Sequence, residues 1–172
     1  MPSVRTDAAS GSSGVAGEVG ERLPELPLSP HENFVTARGL GQLHARLADA
    51  ESRLVDPALQ AGLERDYLER HVRWLRSRLD SAIPVGPRNA RRDRVGFGAT
   101  VEVLEEDERR SRYRIVGEDE ADPDRGLLSW VSPLARALAD AKVGDRVSWR
   151  RADGNVDVEV TEIDFGHDPA VS

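Results

Sequence analysis

Four carboxylates crowd one short stretch of the sequence and are the residues best placed to do chemistry. Between Gly117 and Pro123 the chain carries Glu118, Asp119, Glu120 and Asp122. Carboxylates attract cations and basic partners, but this run lacks the ligand spacing of a calcium loop. A charge run is usually a solvated loop between elements. The pattern therefore leaves two interpretations open, a solvated loop or an acidic binding surface.

Other chemistry is poorly supported. The sequence has no cysteine, and its histidines His31, His44, His71 and His167 do not sit at metal-ligand spacing. No glycine-rich phosphate loop follows a strand, and no Ser, His and Asp set stands out. We expect neither an enzyme nor a metal site.

Composition narrows the class of protein further. The 172 residues carry a net charge of −7, which argues against a protein that coats nucleic acid. No apolar run approaches the ~20 residues of a membrane-spanning helix, and the N-terminus lacks a signal-peptide core. We expect a cytoplasmic protein without membrane contact.

Residues 1–33 are predicted to form a disordered leader, because they are rich in Ala, Ser, Gly, Glu and Pro. Within this leader, the segment Leu23–Leu28 alternates apolar residues with proline, which blocks a helix. Its leucines could instead contact a partner, although a solvated leader is the expectation.

Residues 34–83 are predicted to form an antiparallel helical hairpin. Thr36 is a candidate N-cap, and a heptad seam follows at Leu40, Leu43, Leu47, Ala50 and Leu54. The second helix is predicted from about Pro57 to Ser81, with a seam of Leu68, Val72, Leu75 and Leu79 that Leu63 and Tyr67 extend towards the turn. Charged residues between the seams, Arg78 among them, are assigned to a solvated outer face.

Residues 84–94 are predicted to form a basic linker rich in arginine. Its arginines could serve only as a charged connector, or they could contact phosphate or RNA. Residues 95–165 read as a small, bent antiparallel sheet of about five strands, and residues 166–172 as a tail. One short helix interrupts the strands, with Ser132 at its N-cap and Pro133 at its first position. The fold class is thus α+β.

Several segments of this chain resemble the bacterial GreA/GreB transcript cleavage factors. They are Ile115–Pro123, Ser132–Leu138, Val143–Asp145, Phe34–Leu40 and Val72–Leu79. The resemblance implies an FKBP-like C-terminal domain that binds RNA polymerase at the rim of its secondary channel, with the coiled coil entering that channel. It implies a monomer that contacts nascent RNA or DNA only through the polymerase. For the docking surface it favours Glu118, Asp119, Glu120, Asp122, Pro123, Ser132, Pro133 and Arg136. Charge reversal at Asp119, Glu120 and Asp122 is expected to abolish binding without unfolding the chain.

The tip of the hairpin departs from that family's pattern. In cleaving members, tip acids help hold a polymerase Mg²⁺ ion, but the tip motif Gly-Asp-x-x-Glu-Asn-Ala-x-Tyr is missing here. The hairpin also looks shorter by about ten residues per arm, or ~15 Å. Asp56, with Glu51 and Glu64 nearby, is the nearest substitute, and Asp56 fits equally as the N-cap of the second helix.

These departures favour a polymerase-binding regulator with weak or no stimulation of transcript cleavage and no cofactor of its own. An active cleavage factor and a relative of the regulator of nucleoside diphosphate kinase are alternatives. A third alternative is a prolyl isomerase, in which Phe97, Tyr113, Trp130 and Trp149 would line a proline pocket instead of the sheet core.

Overall fold

The computed structural model describes residues 23–59, 61–86, 91–151 and 154–166. A hairpin of two helices, α1 (Ala37–Leu54) and α2 (Leu63–Asp80), precedes a five-stranded sheet that carries a short third helix. The predicted α+β class is therefore confirmed. No helix in the described ranges is long and apolar enough to cross a membrane.

The hairpin is held together by the predicted heptad seam. Leu43, Ala50, Leu68, Val72 and Leu75 are buried, and Leu40, Leu47, Leu54 and Leu79 pack against them. Each helix has 18 residues, which corresponds to about 27 Å at 1.5 Å per residue.

The tip of the hairpin differs from the prediction in two ways. Helix α2 begins at Leu63 rather than Pro57, because Gly62 has a φ of 145° that interrupts the helix. A separate turn precedes it, in which the Leu59 N–H donates to the Asp56 carbonyl at 3.0 Å. Leu63 and Tyr67 are 60% and 46% exposed, so the prediction that they extend the seam is wrong.

A two-stranded parallel sheet closes the base of the hairpin. Strand β1 (Phe34–Val35) pairs with β2 (Ile83–Pro84), so the chain entering α1 lies beside the chain leaving α2. The first residue of the predicted linker, Pro84, therefore belongs to β2. Residues 87–90 of that linker lie outside the described residues.

The leader differs from the predicted disorder where it can be described. Residues 1–22 lie outside the described part of the chain. Residues 23–33 run along α2 without helix or strand, and the Trp74 indole N–H donates to the Pro27 carbonyl at 3.2 Å. Composition does not predict this packing. It indicates how much apolar surface a segment can bury by itself, but it does not take into account the hydrogen-bond donors on a neighbouring helix.

The sheet has the strand order β5-β4-β3-β7-β6. Its strands are β3 (Thr100–Glu105), β4 (Arg110–Val116), β5 (Leu127–Ser129), β6 (Arg146–Arg151) and β7 (Gly154–Asp164). The pairs β3–β4, β3–β7 and β6–β7 are antiparallel as predicted, but β4 and β5 are parallel. The prediction of a wholly antiparallel sheet is wrong at this pair, because the acidic stretch forms a crossover rather than a hairpin turn.

Helix α3 (Pro133–Leu138) covers the core of the β domain. The Ala135 N–H donates to Ser132 Oγ at 3.3 Å, which confirms the predicted cap. Leu134 and Leu138 are buried with Val101, Val103, Val158 and Val160 of the sheet. Residues 167–172 of the predicted tail lie outside the described residues.

Candidate functional site

The acidic stretch folds into two 3₁₀ turns, Glu118–Glu120 and Pro123–Arg125. Between them Asp122 exchanges two backbone hydrogen bonds of 2.9 Å with Leu127, which fastens the stretch to the start of β5. Gly126 has a φ of 70°, and a Cβ there would lie 2.7 Å from the Arg112 carbonyl oxygen. The stretch is therefore an ordered connection held against the sheet.

Glu120 binds the N-terminus of α1. Its carboxylate accepts hydrogen bonds from the Thr36 backbone N–H at 3.1 Å and from Thr36 Oγ1 at 2.5 Å. Thr36 Oγ1 in turn accepts from the Gly39 N–H at 3.0 Å and so caps the helix. A carboxylate at a helix N-terminus also meets the positive end of the helix dipole. Glu120 thus orients the hairpin relative to the β domain.

Close packing at this contact requires glycine. A Cβ on Gly39 would overlap the Glu120 carboxylate, and a Cβ on Gly117 would overlap the Phe34 carbonyl oxygen. The base of α1 therefore lies directly on the acidic stretch, with no room for an intervening side chain.

Asp119 binds the second helix through a buried ion pair. Arg78 Nε donates to Asp119 Oδ2 at 2.7 Å, and the two side chains are only 4% and 13% exposed. Arg78 Nη2 also donates to Asn33 Oδ1 at 2.5 Å, while Asn33 Nδ2 donates to the Arg78 carbonyl at 2.7 Å. We call Asn33, Thr36, Arg78, Asp119 and Glu120 the clamp, since they join the base of the hairpin to the β domain.

Two of the five clamp residues, Arg78 and Asn33, were not expected from the sequence. The sequence predicts Arg78 on a solvated outer face. That prediction is wrong, because Arg78 is buried, with only 3% of its surface exposed. The available signal was its position three residues after Leu75 and next to Leu79, close to the seam. Asn33 lay inside the predicted disordered leader.

Glu118 connects the acidic stretch to the leader. Its Oε1 accepts from Ser29 Oγ at 3.0 Å. Its Oε2 is buried and has no hydrogen-bond partner among the described protein atoms. Three of the eight predicted docking residues, Glu118, Asp119 and Glu120, therefore bind the chain's own hairpin and leader.

Aromatic rings fill the space beside the clamp. Phe34 of β1 lies 4.9 Å from Trp130 and 5.9 Å from Phe97, measured between ring centroids. Tyr113, Trp130 and Trp149 pack against the sheet core, and the Arg151 guanidinium lies 3.7 Å over the Trp149 ring. The four aromatics of the prolyl isomerase alternative are half-buried, and each packs against the sheet core or against another aromatic ring.

The remaining predicted docking residues lie at one edge of the β domain. Pro123, Pro133 and Arg136 are exposed, whereas Asp122 and Ser132 are half-buried. We call these five residues the rim. The short strand β5 connects the acidic stretch to α3. The rim therefore contains residues from both segments that the sequence predicts to bind a partner.

Asp56 lies exposed at the tip of the hairpin. Its Oδ1 accepts from the Ala58 N–H at 2.8 Å, so it stabilises the tip turn and does not cap α2 as the alternative interpretation expected. Glu51 is paired with Arg76 at 2.7 Å. Within the described ranges, no three His, Cys, Asp or Glu residues are grouped so that they could hold a metal ion.

Glu105 and His71 are among the ionisable groups outside the clamp that have shifted pKa values. The pKa of Glu105 is lowered mainly by hydrogen bonds from the Arg109 guanidinium and also by the nearby charge of Arg151. Burial lowers the pKa of His71, and the charges of Arg46 and Arg53 lower it further.

Residues 90–165 match the family model described as "Transcription elongation factor, GreA/GreB, C-term". The chain is 38% identical to the transcription elongation factor GreB of Neisseria meningitidis serogroup B over 57% of this chain and 61% of that protein. It is 32% identical to the transcription elongation factor GreA of Maricaulis maris over 88% of this chain and 96% of that protein. The chain spans about 60% of the length of the first curated relatives that it matches.

Two solved structures are also similar. GreA factor homolog 1 (Gfh1) of Thermus thermophilus is 22% identical, covers 78% of this chain and 99% of its own, and gives a TM-score of 0.39. The GreA/GreB factor of Nitrosomonas europaea is 19% identical, covers 77% and 98%, and also gives 0.39.

The fold and the clamp define a helical hairpin joined at its base to a small mixed-sheet domain. The near full-length match to the Maricaulis maris relative covers both parts. The chain therefore belongs to the GreA/GreB family of transcription elongation factors, as the sequence resemblance indicated. The relatives' names describe transcription factors rather than enzymes, in agreement with the expectation that this chain is an accessory factor.

Proposed function

We propose that this chain is a cytoplasmic, monomeric transcription elongation regulator that binds RNA polymerase at the secondary channel and stimulates transcript cleavage weakly or not at all. The observation that carries this proposal is the contrast between its two ends. The β domain keeps the acidic stretch and the capped helix through which the sequence resembles the family, whereas the described residues of the hairpin tip form no group of three acids that could hold a metal ion. Any RNA hydrolysis in the complex belongs to the polymerase, and the chain brings no metal of its own.

Polymerase docking is assigned to the rim rather than to the whole acidic stretch. Pro123, Pro133 and Arg136 are exposed and available to a partner. Asp119 and Glu120 serve docking indirectly, because they fix the angle at which the hairpin leaves the β domain. Reversing their charge would also break the clamp, so such variants should lose fold stability as well as binding, contrary to the prediction from sequence.

The tip supports weak or absent cleavage. Mg²⁺ takes oxygen ligands at ~2.1 Å in an octahedral arrangement, usually one or two carboxylates together with substrate phosphates and waters. In the described part of the tip, Asp56 Oδ1 is engaged by the Ala58 N–H and Glu51 by Arg76, while Glu64 is exposed at the start of α2. We therefore expect the tip carboxylates to contribute little to the binding of a metal ion that the polymerase already holds.

A cleavage assay on stalled bacterial RNA polymerase tests the proposal. The polymerase is halted on a template with a radiolabelled transcript, excess protein is added, co-elution is checked by gel filtration, and RNA length is followed over time. We expect the protein to co-elute and the RNA to shorten no faster than with polymerase alone.

Asp56→Ala is compared with Asp49→Ala, which removes an exposed acid from the body of α1. Rapid cleavage that Asp56→Ala abolishes and Asp49→Ala preserves would establish an active cleavage factor instead. Failure to co-elute would refute polymerase binding itself.

A further inference from the structure

The outer face of α2 carries a strip of hydrogen-bond donors that the hairpin itself does not use. Arg70, Arg73 and Trp74 lie at positions i, i+3 and i+4 and so project from one side of the helix. Trp74 is held in place by a stacked His71 ring at 5.9 Å and by the Arg46 guanidinium at 5.8 Å. Two cations and an indole N–H on one rigid face form a surface suited to carbonyl oxygens and carboxylates.

The chain's own leader supplies those acceptors in matching order. Arg70 Nη1 donates to the Pro24 carbonyl at 3.2 Å, and Trp74 Nε1 donates to the Pro27 carbonyl at 3.2 Å. Between them, Arg73 contacts the Glu25 carboxylate through Nε and Nη2, both at 2.9 Å. Consecutive acceptors of the leader thus meet consecutive donors of the helix.

The sequence of the leader suits this mode of binding. Pro24-Glu25-Leu26-Pro27 is a Pro-x-x-Pro segment, and proline favours the polyproline II conformation, which repeats every three residues and leaves its carbonyls free for outside donors. Leu23 and Leu26, also three residues apart, are half-buried, whereas Pro24, Glu25 and Pro27 are exposed. Because proline restricts the free chain, less entropy is lost when the segment binds.

We propose that the Arg70, Arg73 and Trp74 face of α2 is a recognition site for an extended, acidic Pro-x-x-Pro segment, and that residues 23–29 occupy it in cis. We call these residues the strap. The strap ends at Ser29, which donates to Glu118, so occupation of the face is linked to the acidic stretch beside the clamp. A separate peptide of the same chemistry binds this face only when the strap leaves it, since a tethered ligand competes at an effective concentration in the millimolar range.

The first test follows the Trp74 indole N–H by NMR in the full-length chain. A strap-weakened variant carries Pro24→Gly, Glu25→Arg and Pro27→Gly. We expect its Trp74 indole resonance to shift and to exchange with solvent at least tenfold faster, while the Trp149 indole in the β domain stays unchanged. An unchanged Trp74 resonance and exchange rate would overturn the proposal. If Trp149 also shifts, Glu25→Arg alone replaces the triple variant, with the same two outcomes.

The second test adds a fluorescent peptide that spans residues 22–30. We expect it to bind the strap-weakened chain and to bind the wild-type chain at least tenfold more weakly. Arg73→Glu, placed in a chain whose strap carries Pro24→Gly, Glu25→Ala and Pro27→Gly, should weaken binding of the wild-type peptide about threefold to tenfold, and a peptide with Glu25→Arg should recover affinity for that variant. Equal peptide binding to wild-type and strap-weakened chains, or a charge swap that recovers nothing, would show that the strap does not occupy a specific site.

Discussion

Asp119→Ala should destabilise the protein far more than its place in an acidic loop suggests. In the wild type its carboxylate receives the Arg78 guanidinium at 2.7 Å, and the side chains are 13% and 4% exposed. Among the described residues, removal of the acid leaves the buried cation with Asn33 Oδ1 as its remaining side-chain acceptor. Removing one partner of a buried ion pair costs about 3–5 kcal/mol, because the other charge stays buried without compensation.

That cost translates into a large shift in a urea denaturation. With an m-value of about 2 kcal/mol/M, a loss of about 4 kcal/mol lowers the midpoint by about 2 M. The double variant Arg78→Met with Asp119→Leu removes both charges together and should lose much less than the sum of the single variants. Circular dichroism at 222 nm follows the hairpin, and tryptophan fluorescence follows the aromatic cluster at its base.

Asp124→Ala is the matched control, since Asp124 is an exposed acid five residues further along the same stretch. It should change the free energy of unfolding by less than about 0.5 kcal/mol. Equal, small shifts for Asp119→Ala and Asp124→Ala would refute the clamp, and so would additive losses in the double variant.

Three further predictions concern packing and pH. Gly39→Ala should destabilise the fold because its Cβ meets the Glu120 carboxylate, whereas Gly41→Ala, whose Cβ meets nothing within 4 Å, should stabilise α1 by about 0.5–1 kcal/mol; thermal unfolding of both variants checks this. The lowered pKa of Glu105 means that its ion pairs stabilise the fold above the ordinary carboxyl pKa and lose that effect as pH falls through the folded value. The stability difference between wild type and Glu105→Gln should therefore be full at neutral pH and vanish in acid. The pKa of His71 should lie below its ordinary value of about 6.5 when it is measured by NMR. Because the folded pKa is lowered, protonation of His71 favours the unfolded chain, and stability falls as pH falls below the unfolded pKa. His71→Gln should therefore lose less stability than the wild type over the same pH range.

The regular elements could be predicted because local patterns determine them. The seam of Leu43, Leu68 and Leu75 follows from heptad spacing, and the start of α3 follows from the Ser132-Pro133 pair. The start of α2 could not, because the sequence offered Pro57 as a helix start, whereas the backbone of Gly62 sets the boundary.

The clamp and the strap lay beyond sequence reasoning for a different reason. Arg78 and Asp119 are 41 residues apart, and pattern alone does not show which acid reaches which arginine. The sequence pattern presents the acidic stretch as a solvated loop or as a surface for a partner, whereas Glu120 and Asp119 bind the chain's own helices. The Pro-x-x-Pro leader looked solvated because its donors lie on α2.

The most direct test of the central claim is the affinity of this chain for bacterial RNA polymerase, measured by biolayer interferometry with three proteins. Arg136→Glu reverses an exposed rim charge, and Arg150→Glu reverses an exposed charge on the edge strand β6. We expect Arg136→Glu to bind polymerase at least tenfold more weakly than the wild type, and Arg150→Glu to bind it as tightly as the wild type. Undiminished binding of Arg136→Glu, or no binding of the wild type, would contradict docking through the rim.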